Sequence, residues 1–519
     1  MNIEHVEKSY QELESDSTLQ NLIAQANARY ILYNTEESKE NFPRYTIKDE
    51  QLNILAFKYL NIGCNYFSEH NYLKASHSLE KGALILEYIH GSIHIQTKNK
   101  KLFCLISALS YYVCFQYSKA FILIGKLESD TMISSLVSLF LNRKFDQLLS
   151  EIDKLITNSS YGDEYLAEHF EEDNATKIYE IIIAKSLNYY VQFYQTGNKD
   201  FLEIAKKDLV NLQEVAAMRG EPDVWWVIRL LLLIIDGFKE SSLWYVLGNY
   251  FNTEDKLPLK YIQSLVYKNG SITELFLTQR NSLPKVLNNK QGSIVSIPTS
   301  SGKTRIGEIA ILNCLLNEPK AKILFIAPYR SLAYEIENSF DEIFSNLDVS
   351  VSHLYGGSLF SKLDERIIDE SSVIVATPEK AKALFRSNED ILSCIKLVII
   401  DEGHLLGTDK RLIVNEMFYE ELKYHVKANG GRFLLLSAVL PNAEDLSEWL
   451  TDSTDNVYKE NWRPSDERIG IMEWNGVSVN LNWKSTDAER NSFNPNFIMR
   501  QKLPKKPKER IMHYFPENK

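Results

Sequence analysis

The sequence predicts a chain in two parts: an all-α helical region over residues 48–270, then a parallel α/β domain with helices flanking its sheet over residues 271–455. Three observations carry that expectation. From residue 48 onward apolar residues recur at helical spacing, and Pro and Gly are scarce. From about residue 270 short apolar runs alternate with helical segments, the pattern of βαβ units. Two of those runs, LVII and FLLL, lack the alternation of a half-solvated strand and suit strands buried on both faces.

The arm before the helices, residues 1–47, is polar and reads as irregular. Its first residues, MNIEHVEKSYQELESD, are too acidic and polar for a secretory leader. Within the helical region, AFKYLNIGCNYFSEHNYLKASHSLEKGALIL resembles a tetratricopeptide (TPR) unit, with Tyr59, Ile62, Gly63, Tyr66, Ala75 and Leu79 at that repeat's spacing. A weaker echo, LISALSYYVCFQYSKAFILIGKL, places Ala120 where Ala75 stood. The offset of 45 residues is not that of a regular repeat. The preferred reading is a TPR-like helical array whose Tyr, Leu and Ala pack between neighbouring helices. The alternative is a peptide-binding groove, through which the helical region would take a protein partner. The most apolar stretch, Leu230 to Ile235, is bounded by Arg229 and Asp236, so it is expected as a buried helix turn and not a membrane span.

The α/β elements follow in order as GSIVSIP, IGEIAILNCLLN, AKILFIAP, LAYEIENSFDEIF, DVSVSHLYG, SVIVATP, IKLVIID and RFLLLSA. Residues 456–519 read as an irregular basic tail with strand pieces such as RIGIMEW and VSVNLNW.

Composition bounds the function. A formal net charge of −11 excludes a wholly basic nucleic-acid coat. It leaves room for an enzyme whose positive charge is confined to one groove. The five cysteines, Cys64, Cys104, Cys114, Cys314 and Cys394, form no C-x-x-C pair, so neither a zinc site nor a disulfide framework is expected. Their odd number fits the reducing cytoplasm.

Two motifs carry chemistry. SIPTSSGKT, Ser296 to Thr304, follows a predicted strand and opens a predicted helix, the context of a phosphate-binding loop. The small residues Thr299, Ser300, Ser301 and Gly302 let the chain curl so that successive N–H groups face one anion, with the helix N-terminus adding its dipole. Lys303 is expected on the β- and γ-phosphates of ATP, and the Thr304 hydroxyl on Mg²⁺. The first glycine of the usual pattern is replaced by Ile297, so the motif is incomplete. The second motif is KLVIIDEGH, an apolar strand that ends in two carboxylates. Asp401 is expected to hold Mg²⁺, mostly through water, and Glu402 to orient and deprotonate the attacking water.

PTSSGKT, APYRSLAYE, YGG, ATPEK, DEGHLLG and LLLSAVLPNAEDLSEWL occur in the order and spacing of the Ski-type DExH-box helicases of superfamily 2, over about 180 residues. This resemblance implies that the α/β domain is RecA-like, the first of two motor domains. It implies that Gln279 in LFLTQRNSL is an adenine-reading glutamine. It also implies that Pro328, Arg330, Gly356, Gly357, Thr377, Pro378 and Glu379 grip the backbone of a DNA or RNA single strand. Ser437-Ala438-Val439 stands where the family has Ser-Ala-Thr, a motif that links hydrolysis to strand separation. Val439 lacks the hydroxyl, which puts that linkage in doubt. His404 completes the DExH motif and would connect the ATP site to its coupling elements.

The family's second motor domain, which supplies arginines to the transferring phosphoryl, is not recognisable in the residues after Leu440. The expected function is therefore an ATP-dependent helicase or translocase, as a fragment or split half whose partner is a separate second motor domain, or as an inactive remnant. The alternative is a nucleotide-dependent scaffold that recruits a partner without unwinding. A large helical front fused to such a motor is also similar in architecture to the helicase components of bacterial phage-defence systems such as Hachiman.

Overall fold

A computed structural model of the chain describes residues 3–34, 49–91, 100–127, 131–158, 172–354, 362–387, 393–403, 410–438, 440–463, 470–474, 479–483, 500–502 and 514–516. The chain forms two compact units. One comprises Met1–Tyr189, Leu202–Ile235 and Ser465–Lys519, the other Tyr190–Phe201 and Asp236–Pro464.

The first unit is built from helices α1 (Ile3–Ser15), α2 (Ser17–Asn34), α3 (Asp49–Ser68), α4 (Tyr72–Gly91), α5 (Lys100–Val113), α6 (Tyr117–Ile124), α7 (Met132–Leu141) and α8 (Phe145–Asn158), with most of α9 (Glu172–Thr196), α10 (Asp200–Arg219) and α11 (Pro222–Ser241). Residues 3–34, expected as an irregular arm, are thus helical. For α1 the reason is a seven-residue pattern hidden in polar composition. Val6 and Leu13 are buried. Their neighbours Glu7 and Glu14 pair with Lys74 at 2.7 Å and Lys81 at 2.6 Å on α4, and accept hydrogen bonds from Tyr66 and Tyr59 on α3. Lys74 and Tyr66 together hold the Glu7 carboxyl below its usual range.

The residues that resembled a tetratricopeptide unit line the α3–α4 contact. Tyr59, Ile62, Tyr66, Ala75 and Leu79 are buried. A Cβ at Gly63 would stand 2.5 Å from Leu79 Cγ, so the two helices approach too closely there for any side chain. Leu230 to Ile235 lie buried within α11. In the region expected as an irregular tail, β8 (Gly470–Trp474) pairs antiparallel with β9 (Val479–Trp483), and β10 (Arg500–Lys502) with β11 (Tyr514–Pro516).

After the last residues of α9 and α11, the second unit continues with α12 (Leu243–Gly248), α13 (Lys256–Val266) and α14 (Leu277–Leu287). Strands and helices then alternate as β1 (Gly292–Ser296), α15 (Lys303–Asn317), β2 (Lys322–Ile326), α16 (Arg330–Phe344), β3 (Val351–Leu354), α17 (Lys362–Glu370), β4 (Val373–Ala376), α18 (Pro378–Ser387), β5 (Ile395–Ile400), α19 (Lys410–Ala428), β6 (Arg432–Ser437), α20 (Ala443–Thr451) and β7 (Val457–Lys459). The strands form one parallel seven-stranded sheet in the order β3-β4-β2-β5-β6-β1-β7, a RecA-like core. β1 and β4 are buried at every position, as continuous apolar runs require when both faces are covered.

β7 corrects the expected boundary at 455. It pairs with β1 from Ile294–Val457 to Ser296–Lys459, so the sheet extends into the segment read as tail. A three-residue strand carries too little hydrophobic pattern to be seen in sequence.

Because all the strands run parallel, the loops that follow them gather at one edge of the sheet. β6 alone separates β5 from β1. The exits of those two strands are therefore about 10 Å apart, twice the spacing of adjacent strands.

Candidate nucleotide and strand-binding site

β1 delivers the chain into the turn Ile297–Gly302, and α15 begins at Lys303. Ser300 (φ 67°) and Gly302 (φ 76°) both adopt the left-handed region. Gly302 does so at no steric cost, whereas Ser300 is held there by the turn. Ser301 is fully buried and Thr299 and Ser300 are exposed, while Gly302, Lys303 and Thr304 are half-buried at the helix start.

Two side chains fix the turn from outside it. Gln279, on α14, accepts from the Phe276 N–H at 2.8 Å and donates to the Gly302 carbonyl at 3.0 Å. Ser296, the last residue of β1, donates through its hydroxyl to the Ala438 carbonyl at 3.1 Å and accepts from the Leu440 N–H at 2.9 Å. The Ile297 N–H donates to Ser437. The phosphate-type turn and the Ser437-Ala438 segment are thereby joined through one hydroxyl.

At the exit of β5, the Asp401 N–H donates to Ile326, and the buried Asp401 carboxylate accepts from the Glu402 N–H at 2.9 Å. Glu402 itself has φ 53°, a strained value for a residue with a Cβ. Behind it, a Cβ on Gly403 would lie 2.7 Å from Leu435. The backbone here runs against β6, and the Glu402 side chain is turned toward the phosphate-type loop. The Lys303 ammonium lies 3.1 Å from the Glu402 carboxylate, with both side chains largely shielded from solvent. The Gly302 turn and the 401–402 carboxylates therefore sit at the same edge of one sheet.

Beneath the turn, Arg305 pairs with Glu308 one turn further along α15, and Glu308 accepts from the Tyr261 hydroxyl of α13 at 3.1 Å. Glu308 is 1% exposed, and burial raises its carboxyl against the opposing pull of Arg305.

The loops after β2 and β4 are neighbours at that same edge. Pro328 is half-buried and Arg330 is exposed at the start of α16. Thr377 and Pro378 are buried, with Glu379 exposed, at the start of α18. Gly356, Gly357, His404 and Val439 lie outside the described residues.

Sequence reasoning missed Ser296 as a link, and Phe276 and Trp462 as neighbours of the turn. The Phe276 and Trp462 rings are 6.0 Å apart, and the Ser301 hydroxyl donates to the Trp462 carbonyl at 3.5 Å. Ser296 was visible at the end of its strand. Nothing around Trp462 carried a pattern.

Residues 277–446 match the DEAD/DEAH box helicase family. That segment encloses the turn, the carboxylates and both strand-edge loops, so it carries a helicase domain of this type. Along its whole length the chain is 40% identical to Hachiman protein HamB of Bacillus cereus and covers 46% of that protein. Over 42% of its length it is 33% identical to ATP-dependent DNA helicase Hel308 of Thermococcus kodakarensis, covering 18% of it. The chain thus spans just under half of the first relative and about a fifth of the second. Among solved structures, DUF1998 helicase MrfA bound to DNA and AMPPNP aligns over 40% of this chain and 30% of its own, with 19% identity and a TM-score of 0.34. Among the described residues no helix is long and apolar enough to cross a membrane.

Proposed function

We propose that this chain binds MgATP in the Gly302 turn and uses hydrolysis to move a single strand of DNA or RNA, as the first motor domain of a Ski-type helicase or translocase. The observation that carries the reading is the 3.1 Å contact between Lys303 and Glu402, which brings a phosphate-type loop against a carboxylate pair. The family match and the helicase relatives support a nucleic-acid helicase type of function.

In this reading the N–H groups of residues 299–304 and the α15 N-terminus receive the phosphates. Lys303 exchanges the Glu402 carboxylate for phosphate oxygens. Glu402, freed from the ammonium, orients the attacking water and takes its proton. The Thr304 hydroxyl and the buried Asp401 would hold Mg²⁺. That donor set fits an ion that keeps several waters and takes its remaining ligands from phosphate. When bound, Mg²⁺ offsets charge on the phosphates. Pro328, Arg330, Thr377, Pro378 and Glu379, with Gly356 and Gly357, are proposed to line the strand path. Contacts of this kind position a backbone without reading its bases. Ser437 and Ala438, joined to β1 through Ser296, are proposed to carry the coupling, together with His404.

Turnover at full rate then draws on arginines of a second RecA-like domain. Similarity along this chain's length to Hachiman protein HamB, of which it covers 46%, supports a role in bacterial phage defence. The helical region is proposed to contact a protein partner. The experiment is a strand-displacement and phosphate-release assay on this chain, alone and joined to a second motor domain. ATP binding accompanied by strand-dependent hydrolysis supports the motor. Binding with no turnover in either form rejects it in favour of a nucleotide-dependent scaffold.

A further inference from the structure

We infer that the face of α3 and α4 beneath α1 is a docking site for an acidic helix of a partner protein, and that α1 fills this site in cis. This gives a place and a chemistry to the protein contact proposed for the helical region. It does not depend on the nucleotide site.

Register defines the contact. Glu7, Tyr10 and Glu14, at i, i+3 and i+7, lie on one face of α1. They meet Lys74, His77 and Lys81 of α4, and each pair is separated by the same 67 residues. A constant offset means that α1 runs parallel to α4. Each carboxylate is claimed twice. Glu7 accepts from the Lys74 ammonium at 2.7 Å and from the Tyr66 hydroxyl at 2.6 Å. Glu14 accepts from Lys81 at 2.6 Å and from Tyr59 at 3.1 Å. Between them the Tyr10 hydroxyl and His77 Nδ1 stand 2.9 Å apart. Each ammonium also lies over the ring of the tyrosine that shares its carboxylate, 5.6 Å from Tyr66 and 5.8 Å from Tyr59. One clasp of lysine and tyrosine is thus used twice, about 10 Å apart along the helices.

The clasps present donors: two ammonium groups and two phenol hydroxyls. Covering donors without acceptors is costly, so whatever fills this face must bring carboxylates at that spacing. Val6 and Leu13, each one residue before a glutamate, supply the apolar half of the contact. The matching helix therefore carries an apolar residue followed by Glu, twice, at a seven-residue interval, with Tyr between. α1 itself is lightly held. Val6 and Leu13 are the buried side chains among its 13 residues, and a helix of that length is marginal alone. The side chains of its ion pairs are 26–39% exposed, so salt weakens them. α2 does not need α1 in place. Asp16, the one residue between the two helices, accepts from the Thr18 N–H at 2.8 Å and caps α2 on its own. The Tyr30 hydroxyl then ties α2 to Glu87 of α4 at 3.1 Å. α1 can leave while the face beneath it stays built.

The full chain is titrated with a labelled peptide copying residues 3–16, and hydrogen exchange is followed over α1, α3 and α4. Glu7→Lys combined with Glu14→Lys should repel α1 from α4, so that the α1 amides exchange freely while those of α3 and α4 stay protected. The peptide should bind this double variant at least about ten-fold more tightly than wild type, where α1 competes from within the chain. A peptide carrying Glu7→Gln and Glu14→Gln should bind about ten-fold more weakly than the acidic one, the scale of losing two partly exposed charge pairs. Adding Lys74→Glu and Lys81→Glu to the double variant should pair α1 with α4 again, restore its protection and exclude the peptide. That recovery separates lost charge from lost folding. The inference is overturned if α1 stays protected in the double variant, if the peptide binds that variant no better than wild type, or if the glutamine peptide binds as well as the acidic one. It is also overturned if the wild-type chain forms a dimer that the peptide dissociates, because the occupant is then the α1 of a second copy. Each of these failures rejects this face alone. A protein that binds with the protection of α1 unchanged would place the partner contact elsewhere on the helical region.

Discussion

Lys303 and Glu402, 99 residues apart in sequence, meet at 3.1 Å across the carboxyl edge of the sheet. Lys303→Ala should abolish nucleotide binding in calorimetry. Glu402→Gln should retain binding and lower phosphate release by at least about a hundred-fold, the usual scale of losing a general base. Unchanged ATP affinity in the lysine variant would contradict the loop assignment.

Gly302 should tolerate no side chain. Ala at this position pays roughly 1–2 kcal/mol for a left-handed backbone, and its Cβ would displace the Gln279 amide from the loop. Gly302→Ala is expected to lower both the melting temperature and the affinity for tripolyphosphate. A Gly302→Ala protein with wild-type tripolyphosphate affinity would show that the turn's shape is not what binds.

The Arg305–Glu308 pair should act on stability before it acts on chemistry. Glu308→Ala leaves a buried guanidinium without its carboxylate, at a cost of about 3–5 kcal/mol. Replacing both residues by apolar ones of similar volume should recover most of that loss, which urea titration would measure. Equal losses in the single and double variants would mean that the pair contributes through packing alone.

Glu337, on α16, supplies a pH signature. Burial, aided by Asp341, pushes its carboxyl up to about 7 from a usual 4.5. The folded chain thus binds more protons here than the unfolded one between those values. Its contribution is fully present below pH 4.5 and is lost as pH rises through 7. Melting curves should show Glu337→Gln gaining on wild type as pH rises from 5 to 8. A pH-independent gap would refute the assignment.

Much of this was legible in sequence for one physical reason: strands buried on both faces write uninterrupted apolar runs. β1, β2, β4, β5 and β6 stand where GSIVSIP, AKILFIAP, SVIVATP, IKLVIID and RFLLLSA foretold. The convergence of the 302 and 401–402 loops followed from parallel order. α1 was missed because its own contacting residues are carboxylates, held by lysines on α4 and tyrosine hydroxyls on α3, which composition counts as polar and therefore irregular. The seat of the Gln279 amide was also out of reach. A motif names a residue type at a spacing, but the acceptor that claims the amide is a backbone carbonyl 23 residues away.

The short strand β7 has a practical consequence. It occupies the outer side of β1, with the Ile294 N–H bonded to the Asn456 carbonyl and the Glu460 N–H to the Ser296 carbonyl. An expression clone trimmed at residue 455 would strip that cover and leave a bare, apolar strand rim able to zip onto another molecule. Keeping the polypeptide through at least residue 463 should separate a well-behaved preparation from a precipitating one.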